Sequence, residues 1–440
     1  MKEQNNIPTS KIQRATRFVK TGGKVGGNYL KYYSKKIIKG EDDREGLNRD
    51  NADDIYESLS ELKGSALKVA QMLSMDKGIL PQAYSEKFQM AQYSAPPLSF
   101  PLVVRTFKRY FEQAPEELYD SFNKSSTHAA SIGQVHEAQL DGKKLAVKIQ
   151  YPGVANSIES DLKIIKPFVL RMFDLNSEEL NHYLIEVKSR LLEETDYELE
   201  MQRSLEISSA CKDIEGVVFP NYYPDLSSER ILTMDWLDGK HLDEFLATNP
   251  SQETKNLLGQ RLWDFYDYQI HKLRQVHADP HPGNFLFRQD GTLGVIDFGC
   301  VKVIPEEFYN TYFQLLRPDV MKDRVEFERL LEELSFLLEK DNPKLRQYLF
   351  DVFAEMISLL GRPFHSATFD FSNEAFFGDI YGLSEKYSKD KTLKNAGGAR
   401  GPRDGIYLNR TYFGLYSILN RLQANIKTHS YGNLMATSTS

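Results

Sequence analysis

Between His277 and Gly299 the chain reads HADPHPGNFLFRQDGTLGVIDFG, and this stretch restricts the possible folds more than any other. Phe285–Phe287 and Leu293–Ile296 are short apolar runs separated by a turn at Gln289, Asp290 and Gly291, the pattern of a β-hairpin. Pairing the two runs brings the loop before the first and the loop after the second to the same end. Asp279, Asn284 and Asp297 then converge there. Asp and Asn beside Pro and Gly usually do no more than make turns. Three hard oxygen donors at one end of a hairpin also suit Mg²⁺ held together with substrate phosphates.

The rest of the chain narrows the choice. Its 440 residues imply roughly two to four domains. Cys211 and Cys300 are the only cysteines, which argues for a reducing compartment and against a disulfide framework or zinc cage. No apolar run reaches the ~18 residues of a membrane span and no secretory signal opens the chain, so a cytoplasmic location is expected. Residues 1–40 hold ten Lys/Arg against one acid, so a chain of net charge −7 leaves −16 on the other 400 residues. An acidic body is a poor nucleic-acid binder. A basic arm on it is suited to an anionic membrane surface. Ile12, Ala15, Phe18 and Val19 lie on one side of a short basic helix expected to stop at Gly22 and Gly23. The same arm would also serve as a solubilising tail, or as a helix docked on the acidic body.

A charged linker is expected over residues 41–50. From Ile55 the residues Leu59, Leu62, Ala66, Val69 and Leu73 recur at helical spacing, ending near Asp76. Gly64, Lys68 and Gln71 share another face, which by itself would be a solvated one. The run from Ser131 to Ala138 alternates, Asp141 and Gly142 make a hairpin turn, and Leu145–Ile149 follows as a second strand containing Lys148. Lysines in such strands most often point to water from an edge. A long helix is expected over 178–210, with Glu194, Asp196 and Glu200 on it. Ile231–Asp235, including Met234, reads as a strand that runs to a turn and lobe hinge at Gly239. Beyond Gly239 the expectation is almost all helix, apart from the hairpin and a flexible stretch over Asn395–Gly405.

The set His277, Asp279 and Asn284, then Asp297, Phe298 and Gly299, with Ala146–Lys148 upstream, resembles the catalytic elements of protein kinases in their order. No glycine-rich loop precedes the lysine strand, Ala278 replaces the usual arginine, and no Ala-Pro-Glu follows. A phosphorylation-switched activation loop is therefore not expected. Within kinases the chain resembles the UbiB (ADCK-type) atypical family from about residue 8 to about 427. Lys68–Gln71 is similar to the family's Lys-x-Gly-Gln signature, with Ala70 in place of its glycine. Ala129, Ala130 and Ser131 are similar to its alanine-rich loop, with His128 in place of the first alanine. Glu194–Asp196 matches its Glu-x-Asp motif, and Glu200 the glutamate that pairs with the strand lysine.

That resemblance implies an α+β, two-lobed kinase-like fold with an N-terminal helical extension packed over the active site. The divisions would be an arm and linker over 1–50, the extension over 51–115, an N-lobe over 116–238 and a helical C-lobe over 239–440. It also implies ATP or ADP with Mg²⁺, and a role in isoprenoid-quinone biosynthesis or lipid homeostasis at a membrane. Asp279, Lys148 and Glu200 would be catalytic, and Asn284 and Asp297 metal ligands. Ala129, Ala130, Ser131, Lys148, Met234 and Asp235 would hold the nucleotide, and Lys68, Gln71, Glu194 and Asp196 would line the cleft. Two other readings compete: a small-molecule phosphotransferase of the aminoglycoside or choline kinase type, and a nucleotide-gated lipid-binding module without phosphoryl transfer.

Overall fold

The computed structural model describes residues 11–39, 42–62, 66, 68–70, 82–89, 98–129, 132–173, 177–388, 390, 392–393, 396 and 400–428. Gln71, Ala130 and Ser131 lie outside the described residues, as does the expected helix end near Asp76. The chain divides into two compact units, residues 1–202 with 221–236, and residues 203–220 with 237–440.

The first unit opens with two helices, α1 (Lys11–Lys39) and α2 (Arg44–Leu62). α1 does not stop at Gly22 and Gly23; it runs through them and through Gly26 and Gly27. Each interior glycine costs ~1 kcal/mol relative to Ala, and packing on the opposite face carries the helix across them. There Thr21, Val25 and Tyr32 are buried, Thr21 Oγ1 donates to Ser58 Oγ at 2.7 Å, and Arg14 forms a two-pronged buried pair with Asp161 at 2.7 and 2.5 Å. The expected linker is also mostly helix. Asp43 caps α2 by accepting from the Gly46 N–H at 2.8 Å, so the charged run starts a helix rather than separating two. Ile55, Leu59, Ala66 and Val69 are buried in one cluster with Tyr84 and Phe88, as their helical spacing predicts.

The unit's sheet is wholly antiparallel. Its strands are β1 (Ser121–Phe122), β2 (His128–Ala129), β3 (Gly133–Leu140), β4 (Lys143–Gln150) and β5 (Ile231–Asp235), in the order β1-β3-β4-β5 with β2 also on β3. Asp141 and Gly142 both have positive φ, 52° and 73°, the backbone that a two-residue hairpin of matching twist requires. Alternation along β4 sends Leu145, Val147 and Ile149 into a core with Val103, Phe107 and Phe122. Ala146 faces the other way, beside Tyr197, Leu232 and Met234. Lys148 shares the Ala146 face by the same period of two.

After β4 come α3 (Val154–Phe173), α4 (Ser177–Glu194) and α5 (Tyr197–Ala210). The single helix expected over 178–210 is thus broken at Thr195 and Asp196. Asp196 Oδ1 accepts the Leu199 N–H at 3.0 Å and caps α5, while the Thr195 carbonyl is taken by Gln150 Nε2 at 3.0 Å and by Arg230. The break persists because its exposed backbone groups are bonded by the end of β4 and the residue before β5.

In the second unit, α6 (Gln252–Tyr268) and many aromatic side chains surround a small strand system. β6 (Gln275–His277) pairs with β9 (Val301–Val303), and β7 (Phe285–Phe287) pairs with β8 (Leu293–Val295), which also takes Val217–Val218 as a parallel neighbour. The hairpin stands as its sequence pattern predicts. The almost all-helical expectation needs correction, because β6 with β9, and Thr368–Asp370 with Asn425–Lys427, are further strand pairs. These runs are three residues long, too short for a visible alternation. The stretch expected to be flexible also ends early: Arg400 forms a buried pair with Asp341 at 2.6 Å, and α7 (Arg403–Leu422) begins at Arg403.

Candidate functional site

Each unit carries one group of the motif residues. In the first, Lys148 lies opposite Val135 on β3 and Leu232 on β5, so its stem leaves the middle of the sheet. Its Nζ reaches both Glu200 oxygens, at 2.7 and 3.0 Å, and stands 5.0 Å from the centre of the Tyr197 ring. Glu200 is in the first turns of α5, so the break at Thr195 and Asp196 is what aims it at the strand lysine. Lys68 Nζ reaches Glu194 at 3.1 Å, with both side chains largely covered. Glu194 ends α4 and Asp196 caps α5. Two residues that could not share a face on one continuous helix thus sit at the junction of two.

Met234 is buried on the Lys148 face. Asp235 has its carboxylate engaged by the Asn221 N–H and Nδ2 at 3.1 and 2.6 Å and by Tyr223 Oη at 2.7 Å. Partial burial raises its pKa, but the Tyr223 and Asn221 donors outweigh that and hold the carboxyl below its usual range. Ala129 lies on β2, with its backbone paired to Gln134.

In the second unit, two ladders converge. The Ala278 N–H donates to the Cys300 carbonyl at 2.8 Å, and the Ile296 N–H donates to the Asn284 carbonyl at 3.1 Å. Asp279 and Asp297 each follow directly on one of these bonds. Asn284 Nδ2 donates to the Asp279 carbonyl at 2.8 Å, which commits the amide nitrogen and leaves Oδ1 as the acceptor end of the side chain. Asp297 Oδ1 accepts the Gly299 N–H at 2.9 Å. Among the described residues, no group of three His, Cys, Asp or Glu could hold a metal. One carboxylate and one amide oxygen fit an ion that keeps most of its shell for water and phosphate, as Mg²⁺ does.

His277 supports this loop from below. Its N–H donates to Gln269 Oε1 at 2.9 Å, and its Nδ1 lies 3.2 Å from Tyr266 Oη. Burial pushes its pKa down against the pull of Asp279 and Asp297, so the ring is neutral. Tyr266, Gln269 and Tyr197 are contacts that sequence reading missed. None belongs to a local motif, and each is recruited from another element by packing.

Comparison with known proteins is consistent with this geometry. Residues 90–331 match the ABC1 atypical kinase-like domain. The chain is 27% identical to the probable serine/threonine-protein kinase abkA of Dictyostelium discoideum, covering 96% of this chain and 79% of the relative. It is 26% identical to the mitochondrial atypical kinase COQ8 of Saccharomyces cerevisiae, covering 96% and 84%. Among solved structures, Rv3197 of Mycobacterium tuberculosis, determined in complex with erythromycin, superposes with a TM-score of 0.61 at 25% identity, covering 88% of this chain and 96% of that one.

Proposed function

The chain belongs to the ABC1 atypical kinase-like family, the UbiB kinases, and from that premise we propose that it binds an adenine nucleotide with Mg²⁺ and cleaves its terminal phosphate in support of isoprenoid-quinone biosynthesis or lipid homeostasis. The observation that carries the reading is the buried Lys148–Glu200 pair. Burying an ion pair seldom adds net stability, because desolvation consumes most of the attraction. A sheet lysine held in this way is explained by an anionic ligand that needs a fixed cation.

In this reading Lys148 binds phosphate and Glu200 holds its ammonium in place. Asn284 and Asp297 hold the metal, which would neutralise the phosphate oxygens when bound. Asp279 orients or deprotonates the acceptor. Ala129, Ala130, Ser131, Met234 and the backbone of Asp235 surround the nucleotide. Lys68, Gln71, Glu194 and Asp196 restrict the acceptor, and the Lys68–Glu194 contact favours this reading over a general small-molecule phosphotransferase. The acceptor is a quinone precursor or lipid reached at a membrane surface. No helix among the described residues is long and apolar enough to cross a membrane.

The test is Mg²⁺-dependent ATP hydrolysis by the full chain, with and without vesicles and a phenolic quinone-precursor mimic. Turnover that needs Mg²⁺ and is lost in Asp279→Asn supports the reading. Absence of both nucleotide binding and hydrolysis overturns it.

A further inference from the structure

We propose that Gly414 is a positioning residue for Asp279: its missing side chain lets the backbone of α7 press on the loop over 279–284 and fix where that aspartate stands. The proposal rests on the reading above, in which Asp279 orients or deprotonates the acceptor. Gly414 lies inside α7, a helix of 20 residues. Only proline is less favourable than glycine in such a place. The geometry supplies the reason for it. A Cβ on Gly414 would lie 2.5 Å from Pro280 Cγ, 2.7 Å from the Pro280 carbonyl oxygen and 3.3 Å from Pro280 Cβ. All three atoms belong to the residue that follows Asp279.

Asp279 thus stands between two fixed neighbours. Before it, the Ala278 N–H donates to the Cys300 carbonyl at 2.8 Å. After it, Pro280 has a ring-locked φ and no N–H to bond, so its place is set by what its ring and carbonyl touch. Pro280 is buried, and α7 meets it at Gly414. The Asp279 carbonyl accepts from the His281 N–H and from Asn284 Nδ2, each at 2.8 Å. A push on Pro280 is therefore passed to Asp279 and, through that carbonyl, to Asn284.

Of the two bodies in contact, the loop is the one that yields. α7 is seated by Leu408, Leu415, Tyr416, Ile418, Leu419 and Leu422, each at most 1% exposed. Tyr416 Oη also donates to the Leu360 carbonyl at 3.1 Å, and Asn420 Nδ2 to the Phe371 carbonyl at 2.8 Å. Carbon atoms in ordinary contact stand ~3.5–4.0 Å apart, so a methyl group at position 414 would displace the loop by about 1 Å. A misplacement of that size is enough for a loss of about 100-fold in rate.

Two other helical glycines of the unit show what packing alone would do. A Cβ on Gly259, in α6, would stand 2.5 Å from Ala424 Cβ and 3.3 Å from Leu419 Cδ2, both core side chains. That clash is as close as the one at Gly414 but meets no residue of the site. Gly378 is exposed on the helix Glu374–Ser388, and a Cβ there would meet nothing within 4 Å among the described residues.

The test compares Gly414→Ala, Gly259→Ala and Gly378→Ala in the full chain by ATP turnover, MgATP affinity, melting temperature and hydrogen exchange. Gly414→Ala should lower kcat about 100-fold, with the KM for ATP and the Kd of MgATP at wild-type values. Amide exchange should quicken at Ala278, His281 and Asn284 but not in the core of α7. Gly259→Ala should lower the melting temperature and keep kcat, and Gly378→Ala should keep both kcat and loop exchange. Should Gly414→Ala fail to fold, Pro280→Ala approaches the same contact from the loop: with Cγ gone, loop exchange should quicken and kcat fall at constant KM. Gly414→Ala should also do less damage in the Pro280→Ala background than in wild type, because the nearest clash is absent. Unchanged loop exchange in Gly414→Ala, or a kcat loss that Gly259→Ala matches, overturns the inference. Faster loop exchange in a protein whose wild type neither binds MgATP nor hydrolyses ATP upholds the contact and overturns the nucleotide reading alone.

Discussion

The two units hold the charged residues of their motifs in opposite ways. In the first, cation and anion are joined side chain to side chain: Lys148 to Glu200 at 2.7 Å and Lys68 to Glu194 at 3.1 Å. In the second, the oxygens are set by backbone: Asp297 by the Gly299 N–H, and Asn284 by the Asp279 carbonyl. A paired charge is costly to break, because its partner is left buried. A backbone-held oxygen can be changed with little effect on the fold, because the ladders that place it do not involve its side chain. Damage to the first unit should therefore appear in stability and function together, and damage to the second in function alone.

The largest expected effect tests that contrast directly. Lys148→Ala leaves Glu200 buried without its cation and should cost ~3–5 kcal/mol in urea unfolding. Nucleotide affinity should fall well over tenfold, as expected from losing a charge-assisted contact. Lys148→Met with Glu200→Leu should recover most of the stability and none of the binding. A single variant as stable as wild type would show that the pair is not held as the contacts imply.

Asp297→Asn is the counterpart. Turnover should drop by at least ~100-fold, the scale on which groups that stabilise developing charge act, and MgATP should no longer raise the melting temperature. The melting temperature without ligand should stay near wild type. A large loss of intrinsic stability would contradict the backbone-held description.

How much of this was legible in the sequence follows the same division. The residues of the second unit's site lie within one stretch of 23, and a hairpin pattern is enough to bring Asp279, Asn284 and Asp297 to one end. The first unit's pair is 52 residues apart in the chain. Only motif order connected Lys148 with Glu200, because nothing local to either residue indicates the other. Periodicity carries one helix through Thr195 and Asp196, although Asp196 is a residue type that caps helices and its spacing of two from Glu194 calls for a local irregularity if both face one site. The apolar periodicity continues through it, and what holds the break open is Gln150 and Arg230, distant in sequence. α1 outruns its expected end for the converse reason. Local propensity stops a helix at Gly22 and Gly23, and contacts with Asp161 and Ser58 carry it on.

Acid sensitivity is the third way to separate the units. Burial, with Arg274 and Lys272 adding to it, pushes the His271 pKa down to about 3, and burial also lowers His277 in the same unit. Among the described residues of the first unit, His136 is lowered by burial against the pull of the Asn123 carbonyl. These rings are neutral in the fold, so the unfolded chain takes up their protons first. Their contribution is complete above ~pH 6.5 and is lost as pH falls towards the folded value, at ~1.4 kcal/mol per pH unit for each ring. Urea unfolding between pH 7 and 4, a window set by that linkage, should show a shallower fall in His271→Gln than in wild type. Parallel curves would remove His271 from the account.

The smallest effect is expected at Lys68, and it bears on whether the first unit's two pairs are equivalent. The two lysine side chains are equally covered, each 11% exposed, but Glu194 is 18% exposed against 3% for Glu200, so water screens the Lys68 contact in part. Lys68→Ala should cost only ~1 kcal/mol, the upper end for a partly solvated pair. If the contact serves only packing, Glu194→Gln should reproduce that cost and neither variant should alter turnover. If Lys68 restricts the acceptor, Lys68→Ala should change ATP turnover or autophosphorylation by more than its small stability loss can explain, with nucleotide affinity unchanged. Measuring unfolding, nucleotide affinity and turnover on both single variants and the double variant isolates the coupling between the two side chains. A coupling present in turnover as well as in stability assigns the pair to control of the reaction, and a coupling confined to stability makes it an ordinary tie between the helical extension and the end of α4.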